Sequence, residues 1–413
     1  MKKSFILSCL LLSACSDVPL NQNADTLIQN YHDRQNTATT AQKDSYYYLL
    51  GIGASDEPLQ AGKAYHDELG LVLNQSGNLD ENIRQLNQKH DLNGLSKQIK
   101  TDDDIFCKIT SDNDNAHDCF KSLAKSDTGI SPYPIIHERY LTFLTNPPAL
   151  IKNSMRVDVQ MPDYRVLVYG QRAHLIHHLN NDPKQSMTAL SQELALLRQH
   201  LANANTLIEK MIYANLIINQ LQAMTLFKSQ NPDLTTDIIP PLTADELSLN
   251  HAWTAEFMMN YETFENLERL DYGVFEKLKM TLLYNKNKTL NQVANFYQQG
   301  IDHVNLSAPE IAKRFDDELT PPKIDYTNYI GSTLANIAPS DYRHYAVRIK
   351  SLDNLITIAN HHINGTPLNN VFAPTLTGSV IEKTHICLQN PVSNDRVATE
   401  TKKRDEKFEC LNL

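Results

Sequence analysis

Between Leu190 and Met211 apolar side chains recur at steps of three and four: Leu190, Leu194, Leu197, Leu201, Ala204, Ile208 and Met211. Those steps place one apolar stripe on a long helix, or on a helix pair, running from about Ser186 to Lys228. Beyond Met211 the stripe broadens to Ile212, Leu216, Ile217, Ile218 and Leu221, as in a helix covered on several sides. Such a stripe reads first as core and only second as a partner groove. Thr243-Ala244-Asp245-Glu246 has capping-box form and opens a helix through Trp253 toward Leu270; Ser307-Ala308-Pro309-Glu310 repeats the form. Further helices are predicted over Asp56–Val72, Leu79–Ile99 (interrupted at Gly94), Tyr133–Leu144, Asp163–Leu179, Phe275–Tyr284 and Thr289–Asp302, and a short one at Asp25–Tyr31 is an option within an otherwise polar N-terminal stretch. The last opens at Ser340, with Tyr345, Ile349, Leu352, Leu355 and Ala359 down one side. After Gly365-Thr366-Pro367, Val380, Ile381, Ile386, Cys387 and Leu388 suggest a strand and Phe408–Leu413 a return strand. The expected fold is mainly α: an irregular multi-helix bundle with a small disulfide-locked β tail at the C-terminus. No fixed-period repeat supports a solenoid.

The first residues carry a different message. Lys2 and Lys3 precede a short apolar run, Phe5 to Leu12, and small residues lead into Cys15. That is the layout of an export signal, and it is shorter than the roughly 20 apolar residues a membrane span needs. Leu12-Ser13-Ala14-Cys15 resembles the lipobox of bacterial lipoproteins. The resemblance implies that residues 1–14 are a signal peptide and that Cys15 is acylated as the first residue of the mature chain. Loss of 14 residues from 413 leaves 399, and loss of Lys2 and Lys3 takes the formal charge from −10 to −12. A surface this acidic suits neither nucleic acid nor anionic headgroups, so the membrane is expected to hold the chain through the N-terminal lipid. Ser16, where lipoproteins retained at the inner membrane typically carry Asp, resembles the outer-membrane sorting pattern. The expected location is the outer membrane, periplasmic side, with the inner membrane and the cell surface left open.

Four cysteines remain in the mature body as two sequence-local pairs, Cys107 with Cys119 and Cys387 with Cys410. Four cysteines allow three connectivities, and in an oxidising compartment local pairing is the first choice. A zinc site is the rival reading, but no C-x2-4-C spacing or paired histidine lies nearby. Ser16–Thr40 is rich in Asn, Gln, Thr and Asp, so residues 15–40 read as a flexible tether. Residues 41–231 and 243–365 read as N- and C-terminal helical regions, divided by a stretch carrying Pro232 and Pro240-Pro241; residues 366–413 form the β tail. Tyr46-Tyr47-Tyr48 reads as core rings where the first helix packs.

Signals for chemistry are sparse. His174, His177 and His178, at i, i+3 and i+4, can share one helix face, and imidazole suits zinc, copper or nickel. A metal wants a fourth ligand and an outer shell, and nothing adjacent supplies either, so a partly exposed histidine face is the simpler reading. His361-His362 is too distant in sequence to assign. Ser122-Leu123-Ala124-Lys125 and Ser111-Asp112-Asn113 match two motifs of penicillin-binding enzymes and β-lactamases, but in reversed order and without Lys-Thr-Gly. No H-E-x-x-H, G-x-S-x-G or phosphate loop occurs, and no catalytic residue or cofactor is assigned.

Several short patterns together resemble an uncharacterised group of proteobacterial envelope proteins. They include Tyr47-Tyr48-Leu49-Leu50-Gly51, Cys107 with Asp118-Cys119, Arg139-Tyr140, Asn205 through Ile212, Pro241-Leu242-Thr243, Lys288 through Asn291 and Leu352 through Leu355. The resemblance runs through most of the mature chain and implies one exported helical architecture, with no assigned activity. The favoured expectation is a lipid-anchored protein that acts by binding another envelope protein, without enzymatic activity. The alternatives are an envelope hydrolase or metal-dependent enzyme using the His174/His177/His178 face, and a carrier with an apolar cavity around Leu216–Leu221.

Overall fold

A capped helix, not a tether, begins the body. The computed structural model describes residues 18–74, 78–95, 97, 134–150, 156, 158–179, 181–269, 273–315, 317, 319–337, 343–372, 379–382, 385–389 and 408–412. Helix α1 spans Gln22–Asn36, with the Asn21 side chain accepting from the Ala24 N–H at 2.9 Å. Ala24 and Leu27 are buried, and Ile28 and Tyr31 pack beside them. This corrects the tether expectation for 22–36: averaged composition hides an i, i+3, i+4, i+7 apolar stripe, which suffices to dock a helix.

Helix α2 (Thr40–Leu50) starts at a capping box formed by Thr39 and Gln42, and α3 (Pro58–Leu73) starts at Pro58. They pack closely through Gly51 and Gly62; a Cβ on Gly62 would stand 1.9 Å from the Tyr47 carbonyl oxygen. Tyr46 is buried and Tyr47 and Tyr48 are half-buried against the core, as the core reading of these rings requires. Helix α4 covers Leu79–Lys89 and ends well before Ile99, with His90 extended and a turn at 92–95. Helix α5 (Pro134–Thr145) carries Arg139, whose guanidinium donates to the carbonyls of Ile52, Ala54 and Asp56 and closes the α2–α3 connection.

The stripe proves to be two helices after α6 (Arg165–Leu179): α7 (Pro183–Asn203) and α8 (Leu207–Gln230). Thr206 makes the break by capping α8, its hydroxyl accepting from the Glu209 N–H at 3.1 Å. Leu190, Leu194, Leu197 and Leu201 are buried, as are Leu216, Ile217 and Leu221. The latter three sit in packed core, which removes the basis for an apolar carrier cavity there.

The second half comprises α9 (Ala244–Leu247), α10 (Asn250–Arg269), α11 (Val274–Leu283), α12 (Lys286–Val304), α13 (Ala308–Arg314), a 3-10 turn at Tyr326–Asn328, α14 (Tyr329–Ile337) and α15 (Arg343–Asn364). Both capping boxes form. Helix α8 packs on α15, and one hydrophobic core runs through both halves. The proline-bearing stretch between them is an extended strap hung on one face of α15. Thr236 and Ile239 donate backbone N–H groups to Asn364 and Asn360, and Leu242 donates to Asp353 at 2.7 Å. The tail is a three-stranded antiparallel sheet, β1 (Ser379–Glu382), β2 (His385–Gln389) and β3 (Phe408–Asn412), in that order. Cys387 pairs with Cys410 in register and is disulfide-bonded to it. Among the described residues no helix is long and apolar enough to cross a membrane.

Candidate functional site

Helices α5, α6, α7 and α8 meet around a polar cluster inside otherwise apolar packing. A glycine sets the first approach: a Cβ on Gly170 of α6 would stand 2.4 Å from Tyr140 Cβ and 2.9 Å from the Ile136 carbonyl of α5. The contact brings His137 of α5 against His174 of α6. The chain then reverses at Asp182-Pro183. Asp182 caps α7 by accepting from the Gln185 N–H, and Ser186 donates to the His178 carbonyl at 3.0 Å. The reversal lays Glu193 of α7 beside the two histidines of α6.

The geometry is tight. Glu193 Oε1 lies 2.6 Å from His174 Nε2 and 2.9 Å from His178 Nε2, and the two imidazole nitrogens are 3.0 Å apart. His174 is 6% exposed and His178 7%. These three side chains form the one group of histidine, cysteine and carboxylate ligand atoms among the described residues with metal-binding proximity. A triangle with those edges has a point about 2.05 Å from every corner, about 1.2 Å off its plane, and 2.0–2.2 Å is roughly the Zn–N and Zn–O distance. The ligand set of two nitrogens and one carboxylate oxygen suits a divalent transition ion and leaves further coordination positions for other groups.

An outer shell surrounds the triangle. The remaining nitrogen of His174, Nδ1, is 2.8 Å from His137 Nε2. The other carboxylate oxygen of Glu193 accepts from Gln220 Nε2 of α8 at 3.1 Å. Gln171 donates to the Leu216 carbonyl at 2.7 Å and accepts from Asn219 at 3.1 Å. Partners on the far atoms of ligating side chains fix their orientation and tautomer. Burial raises the Glu193 carboxyl, but hydrogen bonds from His174 and His178 outweigh it and bring the pKa down to about 2. Burial, reinforced by the neighbouring His174, His177 and His178, pulls His137 down to about 4, so it stands neutral near pH 7.

Of the three histidines expected to act together, His174 and His178 do and His177 does not join them. A step of three residues rotates His177 about 60° to one side of His174, while a step of four rotates His178 about 40° to the other, toward α7. His177 is exposed, its ring 5.9 Å from that of His137. His361 and His362 lie apart from this cluster: His361 contacts the Thr366 carbonyl five residues on at 2.6 Å, and His362 contacts the Ser229 hydroxyl of α8 at 2.9 Å. Glu193 and His137 escaped the sequence reading. The available signal was polarity on an apolar face, for Glu193 interrupts the stripe between Leu190 and Leu197 and Gln220 sits between Ile217 and Leu221. Cys15, Cys107, Cys119, the S-x-x-K match and the S-D-N match lie outside the described residues.

A groove of about 860 Å³ runs between α7 and the strap. Its cation is fully engaged: Arg198 donates to both Glu246 carboxylate oxygens and to the carbonyls of Pro240 and Pro241. Arg198 thus ties the strap to the helix across this groove. No family model, curated protein or solved structure matches the chain.

Proposed function

We propose that this is an exported, lipid-anchored envelope protein whose helical body binds a divalent transition-metal ion at His174, His178 and Glu193. The observation that carries the binding reading is the convergence of three ligand atoms within 3.0 Å of one another at a buried helix junction. A borderline ion such as zinc fits two imidazoles and a carboxylate better than calcium or magnesium, which take oxygen ligands. His137 would hold the His174 tautomer, and Gln220 would hold the carboxylate. The anchor reading is supported by Leu12-Ser13-Ala14-Cys15 after a short apolar run, and the Cys387–Cys410 disulfide suits an oxidising compartment. Its place at the outer membrane and its envelope protein partner belong to the same proposal, the former resting on Ser16.

The test is metal analysis and intact mass on protein purified from membranes without chelator, followed by cobalt(II) titration read by visible absorption. We expect an acylated Cys15, about one equivalent of metal, and affinity reduced on the order of 100-fold or more by His178→Ala or Glu193→Gln. His177→Ala should bind as the parent does. Metal-free protein that gives no cobalt spectrum overturns the metal reading and leaves a closed hydrogen-bonded cluster. Equal losses from His177→Ala and His178→Ala overturn the assignment of the ligands.

A further inference from the structure

We propose that the face built from α11, the 3-10 turn at 326–328 and α14 rests on the lipid surface that holds Cys15. The inference takes acylation of Cys15 from the proposed function and adds which side of the body meets the bilayer.

The first observation is how the chain just after Cys15 is held. Residues 18–23 are clamped along α12 by asparagines at i, i+4 and i+8. Asn287 donates to the Val18 carbonyl at 2.8 Å and Asn291 to the Pro19 carbonyl at 3.0 Å. Asn291 in turn accepts from the Asn21 N–H at 2.7 Å, and Asn295 accepts from the side chains of Asn21 and Asn23. Val18 is three residues from Cys15, a reach of at most about 11 Å. A body fixed at Val18 therefore cannot stand far from the headgroups, and the N-terminal turn of α12 is held beside them.

The second observation is what surrounds that turn. The Asn285 N–H donates to Asn328 at 2.6 Å, and Lys288 reaches the Thr327 hydroxyl at 2.7 Å, which ties the 3-10 turn to the start of α12. Helix α11 packs beside that turn and α14. It buries none of its residues; Val274 is 84% exposed and Phe275 76%, with Leu278 one turn on. Tyr326 is 82% exposed, and Tyr329 and Ile337 are exposed as well. Of fourteen exposed large apolar side chains among the described residues, these six gather on three adjoining elements, too many for scattered surface residues.

Charge agrees. On a chain of net negative charge α11 carries exposed Lys277 and Lys279 with Glu276 its single carboxylate, and Lys323 and Asp325 offset each other at the entry to the 3-10 turn. Apolar residues to sink into the acyl boundary, tyrosines at headgroup level and lysines to meet phosphate are the marks of an interfacial helix. The acyl chains hold the protein to the bilayer, and this face orients it.

The experiment uses the full acylated chain in vesicles of phosphatidylethanolamine and phosphatidylglycerol, with and without brominated acyl chains. Trp253 is fully buried and supplies a constant background. Phe275→Trp places a reporter on the face, and Ile238→Trp places one on the exposed strap. We expect brominated lipid to quench the added emission of Phe275→Trp by about half or more and to leave Ile238→Trp unchanged. On protein whose mass shows the acyl group, absent or equal quenching at the two positions overturns the proposal, including the case in which the face closes a dimer. A mass without the acyl group overturns the anchor reading itself, and the inference with it.

Discussion

His200 of α7 is 3% exposed, stacked on Phe143 with ring centroids 4.2 Å apart. Burial lowers its pKa to about 4, against hydrogen bonds to the backbone of Leu144 and Phe143 that act the other way. The folded pKa lies below the ordinary value near 6.5, so between about pH 6.5 and 4 the unfolded chain binds the extra proton. The stability that neutral His200 contributes is intact above 6.5 and is lost as pH falls toward 4, by up to about 3 kcal/mol. His200→Phe should flatten the pH dependence of unfolding free energy in that window, measured by urea titration at several pH values; an unchanged slope would place the acid sensitivity elsewhere. The cluster of His174, His178 and Glu193 is a residue-scale matter too. His174 and His178 were legible because one helix carries both. Glu193 and His137 were not, because residues 15 to 41 positions away become neighbours only when helices pack.

At the scale of elements, glycines decide how closely helices approach. On α3, Gly62 faces the backbone of α2, with the Tyr47 carbonyl 1.9 Å from the place a Cβ would occupy, whereas nothing stands within 4 Å of a Cβ on Gly70. Gly62→Ala must push two helices apart and should cost about 3 kcal/mol. Gly70→Ala relieves only helix-interior backbone entropy and should stabilise by about 0.5–1 kcal/mol. Denaturant midpoints of the two variants would then move in opposite directions; a shared direction would contradict the close α2–α3 crossing. Helix identities were largely readable from periodicity and caps, as at Thr243/Glu246 and Ser307/Glu310. Ends were less so: α4 stops at Lys89, and α1, expected only as a short helix over 25–31 within a tether, runs from Gln22 to Asn36 and docks on the core, since four apolar positions in a polar stretch define a stripe without raising its mean hydropathy.

For the whole molecule, the tail matters because β3 packs on α15 and α8, not on a free end. The Cys387–Cys410 link closes a separation of 23 residues, worth about 3 kcal/mol in the chain-entropy account. Replacing both cysteines with serine should lower the midpoint of the helical transition followed by far-ultraviolet circular dichroism; a loss confined to the tail would show that the sheet is peripheral to the bundle. The strap has a similar role: its backbone N–H groups at 236, 239 and 242 find acceptors on α15, so the proline-rich stretch joins the two halves through one core.

Helical class, most helix starts, the Cys387–Cys410 pair and the histidine-bearing face follow from the sequence alone, because they rest on short-range causes: periodicity, capping, spacing and cysteine arithmetic. Tertiary structure decided the rest. Glu193 reaches the histidines because α7 folds back on α6, residues 18–23 meet the asparagines of α12 some 270 positions away, and Val274 and Phe275 stay uncovered because nothing described packs on α11 from that side. Such pairings join distant parts of the chain, and no local pattern of side chains encodes them.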